Sequence, residues 1–472
     1  MDLPRATALV LACAGSVLAA CGDAGSPAAA VPSPTPSPSG PRPNLVVILT
    51  DDLDIPSYRE LPRLRDLMAD RGLSFTRAYA AQPLCGPSRA SILTGQYTHN
   101  HGIWLNVGPS GGFRAFRRFE GNTIATWLEA AGYRTSLVGK YMNDYPSGAA
   151  PEYIPPGWDD WHGHLSAFED GRYINYWVND NGAVSRYGSR EEDYSADVET
   201  RRAVRWIHDS AAREEPLFLY LAPEAPHVPA YYAVRHAGDF RGAMAPRVPS
   251  FNEGDVSQKP SWIRQISYLT KEEIAEADSL QRDRLRSLRA VEEMLEKVLQ
   301  ALSETNRLDN SYIFFLSDNG LLMGQHRAVA RKDNPYEESI GIPFVVRGPG
   351  VPVGTVDDFV LNLDLAATLL DLAGASVPAS VDGRSLVPFL RGGRPASWRA
   401  EALIENHEGW TRSLRTAEWM YNHQDTGELE LYDMRVDPYQ LKNLRRQAEP
   451  ALLASFEERI GKLFSCAGAS CP

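Results

Sequence analysis

Asn44-Leu45-Val46-Val47-Ile48-Leu49-Thr50, followed at once by Asp51-Asp52, is an unbroken apolar run ended by two acids. A strand with one solvated face alternates apolar and polar residues, whereas this one reads as a strand buried on both faces. Similar runs recur at Thr135–Val138, Leu217–Leu221, Tyr312–Leu316 and Phe344–Val346. Segments of helical period lie between them, at Leu61–Arg71, Thr123–Ala131, Ala196–Ala211 and Leu363–Ala373. This alternation predicts an α/β fold, a mostly parallel sheet flanked by helices on both faces, with functional groups gathered at the strand carboxyl ends.

Further along, Glu272–Glu304 has the pattern of one long, charge-rich helix whose apolar residues (Leu285, Leu288, Val291, Leu295, Leu299) suit packing on a surface rather than a coiled coil. Beyond the Pro/Gly-rich stretch Gly392–Pro395 the runs become short, Trp419–Asn422 and Leu429–Leu431 flanking Asp425-Thr426-Gly427. They predict a small antiparallel C-terminal subdomain with one hairpin, over residues 395–472, after a catalytic domain at 44–394. No internal repeat is visible.

Hydrophobic residues at 43% and charged residues at 23% are ordinary for a globular chain, and the formal charge of -12 argues against a nucleic-acid partner, whose phosphates demand Lys and Arg. Residues 1–20 carry one basic residue, Arg5, and an uncharged run from Ala6 to Ala20 that is too short to span a membrane. This run reads as an export signal. It ends in Leu18-Ala19-Ala20-Cys21, which resembles a bacterial lipobox, and the resemblance implies diacylation of Cys21 and anchorage of an exported protein to the cell envelope, at the outer face of the cytoplasmic membrane, in the periplasm or at the outer membrane. Residues 21–43, rich in Ala, Pro and Ser, suit a disordered tether. Of the remaining cysteines, Cys466 and Cys471 are close enough in sequence to close a small disulfide loop in an oxidising compartment. No zinc-type cysteine cluster exists in the sequence.

The stretch Leu84-Cys85-Gly86-Pro87-Ser88-Arg89-Ala90-Ser91-Ile92-Leu93-Thr94-Gly95 carries the chemistry. Its Cys-x-Pro-Ser-Arg core followed by Leu-Thr-Gly resembles the type I sulfatase family, whose members have an alkaline-phosphatase-superfamily-like fold. The resemblance implies that Cys85 is oxidised to formylglycine by a formylglycine-generating enzyme. A hydrated aldehyde offers one hydroxyl to attack sulfur and a second whose deprotonation expels sulfate. The helical look of the residues after Pro87 puts the nucleophile near a helix N-terminus.

Asp51-Asp52 and Asp318-Asn319-Gly320 follow two predicted strands and resemble the family's divided metal site. With Cys85, this hard oxygen set suits one divalent cation, Ca²⁺ or Mg²⁺. The same resemblance implies that Arg89 holds the formylglycine hydroxyls and that Lys140, His227 and Lys332 bind sulfate. Gly139-Lys140-Tyr141-Met142-Asn143-Asp144-Tyr145 and Pro156-Gly157-Trp158-Asp159-Asp160-Trp161 are similar to the N-acetylglucosamine-6-sulfatase and heparan endosulfatase group, which implies a small sulfated carbohydrate as partner.

Met142 stands where many arylsulfatases have a histidine, so the elimination step needs another base; His99, His101, His227 and His326 fall in motif-bearing loops, and His326 is the expected one. Specificity is expected from His162–Tyr194 and from Glu405, His407 and Arg412. Two other readings are a phosphomonoester or phosphonate monoester hydrolase of the same superfamily, and an inactive glycan-binding surface lipoprotein.

Overall fold

The structure is a computed structural model that describes residues 41–168, 171–406 and 411–472. Residues 1–20, expected as a signal, Cys21, expected to bear lipid, almost all of the expected tether and His407 lie outside the described residues.

The described strands are β1 (Asn44–Thr50), β2 (Leu73–Tyr79), β3 (Arg134–Gly139), β4 (Asp160–His164), β5 (Trp177–Asp180), β6 (Ala183–Arg186), β7 (Leu217–Ala222), β8 (Ser311–Ser317), β9 (Leu322–Met323), β10 (Val329–Arg331), β11 (Phe344–Arg347), β12 (Gly354–Leu361), β13 (Glu401–Asn406), β14 (Thr411–Thr416), β15 (Trp419–His423) and β16 (Leu429–Asp433). Ten of them form one sheet in the order β12-β2-β11-β8-β1-β7-β3-β4-β5-β6. Its centre, β8-β1-β7-β3-β4, is wholly parallel, with β1 and β8 in register from Asn44 opposite Ser311 to Thr50 opposite Ser317. That register brings Asp51 and Asp318 to neighbouring positions at the same edge.

Successive β1 side chains enter opposite cores. Leu45, Val47 and Leu49 pack with Ile124, Leu128, Leu365 and Leu369, while Val46 and Ile48 pack with Trp206, Leu288, Val291 and Leu295. A strand coated on both faces must be apolar throughout, which is what its sequence shows. The coating helices include α1 (Cys85–Thr94), α2 (Ile124–Ala130), α3 (Ser195–Asp209), α4 (Lys271–Glu304) and α5 (Asp364–Ala373). α4 begins with a capping box: Thr270 Oγ1 accepts from Glu273 N–H at 3.2 Å and Glu273 Oε2 accepts from Thr270 N–H at 2.8 Å.

The mostly parallel sheet and the small antiparallel C-terminal region are as expected, and three details differ. The helix expected over Leu61–Arg71 is divided into an α-helix over Pro62–Leu67 and a 3₁₀ turn over Ala69–Arg71, because the backbone leaves helical geometry at Met68, with φ −120° and ψ −66°. β11 runs antiparallel to both β2 and β8. The C-terminal region has a four-stranded antiparallel sheet, β13-β14-β15-β16, rather than one hairpin, and a helix α6 (Pro450–Phe464). Cys466 and Cys471 form a disulfide. No described helix is long and apolar enough to cross a membrane.

Candidate active site

Four parallel strands and one helix deliver the site. Asp51 and Asp52 leave β1, Asp318 and Asn319 leave β8, Lys140 follows β3, and His227 lies on the loop after β7. Cys85 is the first residue of α1, so the nucleophile position is at a helix N-terminus. The close approach of β3 to β7 demands glycine before the lysine: Gly139 has φ +104°, and a Cβ there would lie 2.3 Å from the Ala222 carbonyl oxygen. Asp52 adopts a left-handed φ of 66°, which re-aims its carboxylate at the strand end and places strain at the site.

The donor atoms converge. One ligand atom from each of Asp51, Asp52, Cys85 and Asp318 lies within 4.8 Å of the others. Cys85 Sγ is 3.2 Å from Asp51 Oδ1 and 3.8 Å from Asp52 Oδ1. Asn319 donates its Nδ2–H to Asp52 Oδ1 at 2.6 Å, and its buried Oδ1 has no hydrogen-bond partner among the described residues. An orphaned carbonyl oxygen beside three buried carboxylates is what a hard cation would satisfy.

Three cationic side chains oppose the three carboxylates. Arg89 is fully buried, donating from Nε to Asp318 Oδ2 at 2.9 Å, from Nη2 to Asp51 Oδ2 at 3.4 Å and from Nη1 to the Lys140 carbonyl at 3.0 Å. Lys140 pairs with Asp51, and Lys332 with Asp52 and with Cys85 Sγ at 2.7 Å. His227 Nε2 lies 3.7 Å from Asp52 Oδ2, and its Nδ1–H faces the Val228 carbonyl. His227 and Lys332 are 14% and 13% exposed while Asp51, Arg89 and Lys140 are closed off, so those two line the opening.

These charges set one another. Burial works against ionisation of Asp51, and Lys140, His227 and Arg89 outweigh it, holding its carboxyl well below the usual range. Asp318 is pushed up to about 6 by burial and by Asp51. Burial and Asp51 also push the Cys85 thiol well up. A thiol held this protonated is a poor nucleophile as it stands.

Of the other candidate histidines, His101 is buried, with Nδ1 accepting from Ile103 N–H at 3.0 Å and Nε2 3.0 Å from Ser91 Oγ. His99 is bound to Glu405 at 3.1 Å and to the Cys466 carbonyl at 3.1 Å. That pairing also removes Glu405, which is fully buried, from the expected specificity surface. Arg412 lies over the Phe464 ring at 3.9 Å. The expectation for His326 is corrected: its Nδ1 is 2.6 Å from Glu253 Oε2 and its ring lies 4.1 Å from Tyr336, with no described hydrogen bond or ion pair to the nucleophile cluster. Met142 is a core residue.

The sequence reading missed Glu224 and did not single out Arg172, although Arg172 falls within the His162–Tyr194 stretch expected to carry specificity. Glu224 sits just past the carboxyl end of β7, three residues before His227, and position at a strand end was the available signal.

A family model described as Sulfatase matches residues 43–375, and one described as N-sulphoglucosamine sulphohydrolase, C-terminal, matches residues 324–464. A human N-acetylglucosamine-6-sulfatase is 33% identical, the match covering 91% of this chain and 86% of that protein. A putative extracellular sulfatase Sulf-1 homolog of Caenorhabditis elegans is 37% identical over 74% of this chain, which spans about half of that relative's length, 49%. A solved structure of a protein in complex with its substrate D-glucosamine-2-N,6-O-disulfate superposes with a TM-score of 0.74 at 24% identity, covering 90% of this chain and 97% of the other.

Proposed function

The chain belongs to the sulfatase family and hydrolyses sulfate esters, and from that premise we propose that its substrate is a 6-O-sulfated glucosamine-type sugar, attacked by a formylglycine made from Cys85 beside one divalent cation. The observation that carries this reading is the convergence of Asp51, Asp52, Asp318 and Cys85 within 4.8 Å, with the orphaned Asn319 oxygen at its edge. The sugar class is supported by the naming of the human relative.

Asp51, Asp52, Asp318 and Asn319, with the modified Cys85, would hold Ca²⁺ or Mg²⁺, which when bound polarises a sulfate oxygen. Formylglycine supplies two hydroxyls on one carbon, one to attack sulfur and one to release the sulfate. Arg89 orients that residue from beneath through its bonds to Asp51 and Asp318. Lys140 and Lys332 supply positive charge to the sulfate oxygens. With His227 Nδ1–H directed at the Val228 carbonyl, the Nε2 lone pair faces the cluster and accepts the proton that Met142 has no basicity to take. Residues 1–20 act as a signal peptide and Cys21 bears the lipid, with residues 21–43 as tether; Cys21→Ser should release the enzyme from the envelope.

The test is turnover of a panel of sulfated mono- and disaccharides, with phosphate and phosphonate esters alongside, by protein whose Cys85 state is fixed by peptide mass spectrometry. The modified protein should favour 6-O-sulfated glucosamine, and Cys85→Ala should be inactive. Full activity with an unmodified thiol would sink the nucleophile, and faster phosphonate than sulfate hydrolysis would sink the substrate class.

A further inference from the structure

Beside the sulfate pocket lies a second cation that the mechanism above does not use. Arg172 donates from Nη1 to Glu224 Oε2 at 2.9 Å, and its side chain is 34% exposed while Glu224 is 2% exposed. The next residue ties this pair to the catalytic loop: the Tyr173 hydroxyl donates to the His227 carbonyl at 2.6 Å and lies 3.1 Å from the Glu224 carbonyl oxygen. Arg172, Glu224 and His227 are therefore joined through one hydrogen-bonded segment. A guanidinium held by a buried carboxylate yet still reaching solvent is preorganised for a second oxyanion, because its planar fork presents more than one donor edge.

The carboxylate does not serve Arg172 alone. His164 Nδ1 lies 3.9 Å from Glu224 Oε1, and Lys140 lowers the Glu224 carboxyl as well. Burial opposes a charge on His164, but Glu199 and Glu224 outweigh it and raise it to about 9, so it is cationic near neutrality. One carboxylate thus faces three cations, with Glu199, 3.1 Å from His164 Nε2, as a further acid in the cluster. The bond from Tyr173 to the His227 carbonyl sets Arg172 beside the loop that carries the histidine of the site.

We propose that Arg172 is a specificity residue that binds a second oxyanion on the sugar, either an N-sulfate on the same ring or the carboxylate of a neighbouring uronate. This rests on the sulfated-sugar reading and adds to it a substrate class: the doubly anionic hexosamine over the singly anionic one.

Three substrates separate the sources: N-acetylglucosamine 6-sulfate, N-sulfoglucosamine 6-sulfate, and a uronate-containing disaccharide with an N-acetylated 6-sulfated glucosamine. Arg172→Ala should raise KM for one of the two doubly anionic substrates by roughly 10- to 100-fold, the range of one charge-assisted hydrogen bond, with kcat held. For the singly anionic sugar, KM should change by less than about threefold. The affected compound identifies the oxyanion. Arg172→Lys keeps the charge opposite Glu224 but not the fork, should recover part of the loss, and replaces the alanine variant if that protein does not fold. Equal losses on all three substrates, or none on any, would overturn the proposal and leave Arg172 as a counter-ion to Glu224. If the parent protein hydrolyses none of them, the sulfated-glucosamine reading fails and takes this inference with it; if the parent hydrolyses them and the variant does not discriminate, only this inference fails.

Discussion

Two buried clusters in this molecule use the same residue types and do opposite things with them. Around Cys85, three carboxylates, two lysines and an arginine crowd one point. Around Tyr336, Glu253, Glu430, Lys259 and His326 are just as buried. In the second cluster, however, partners find one another. His326 meets Glu253, the Tyr336 hydroxyl donates to Glu430 Oε1 at 2.9 Å, and Lys259 donates to the Tyr432 hydroxyl at 3.2 Å and to the Gln440 carbonyl. In the first, donor atoms of Asp51, Asp52, Cys85 and Asp318 share one centre within 4.8 Å, and this convergence, not a missing partner, sets it apart, since His326 Nε2 in the second cluster also has no hydrogen-bond partner among the described residues. Buried charge alone does not mark a reactive site; convergence on a common point does.

The second cluster still bears on the first, because it clamps the segment after Lys332. Gln440 Oε1 accepts from Glu337 N–H at 2.9 Å, Arg415 pairs with Glu337, and Glu430 holds Tyr336. All three clamping residues belong to the C-terminal region, so that region holds the loop carrying a lysine of the active site.

The sharpest way to break the comparison is to remove one converging carboxylate while keeping its shape. Asp318→Asn should lower kcat/KM by at least about 100-fold, above the cost of losing an outer partner of a metal ligand, and should weaken divalent-cation binding read by calorimetry. Folding should suffer less than activity, since the amide can still accept from Arg89 Nε–H. A variant that keeps both cation and rate would remove Asp318 from the site.

The paired cluster should answer in the reverse order. Glu430→Gln weakens the bonds to Tyr336, Tyr432 and Asn422 together, and should cost about 1–3 kcal/mol in chemical unfolding. Turnover should fall only a fewfold, with cation binding unchanged, because the lysine loop loosens without losing a ligand. Activity lost as deeply as in Asp318→Asn, at unaltered stability, would mean that the two clusters are one functional unit.

How much of this was legible beforehand follows from the same contrast. The β1 and β8 strands and the acids after them could be read because a strand buried on both faces has no polar positions, and a break from apolar run to Asp-Asp is abrupt. β2, Leu73-Ser74-Phe75-Thr76-Arg77-Ala78-Tyr79, is interrupted by polar residues and was passed over, although it lies inside the sheet between β11 and β12. Cys85, Arg89, Lys140 and Lys332 lay in motifs of fixed spacing. The role of His326 did not, because its ring is turned to Glu253, a residue 73 positions away that no local pattern links to it. The pairing of Arg172, inside the expected specificity stretch, with Glu224, 52 positions away, was invisible for the same reason.

The smallest effect belongs to a third buried group, intermediate between the two clusters. His164 sits at the end of β4 between Glu199 and Glu224, under the Tyr176 ring at 4.9 Å. Burial disfavours its charge, but the two carboxylates overcome this and raise it from the 6.5 of a free imidazole to about 9. A group whose folded value lies above its unfolded one stabilises the fold fully below pH 6.5, and that contribution drains away as pH rises from 6.5 through about 9. The shift sets its size at no more than about 3 kcal/mol. His164→Gln should therefore be less stable than the parent by a clear margin in urea unfolding at about pH 6, and the margin should nearly close at about pH 9.5. An equal margin at both pH values would mean that His164 is held as a neutral packing residue.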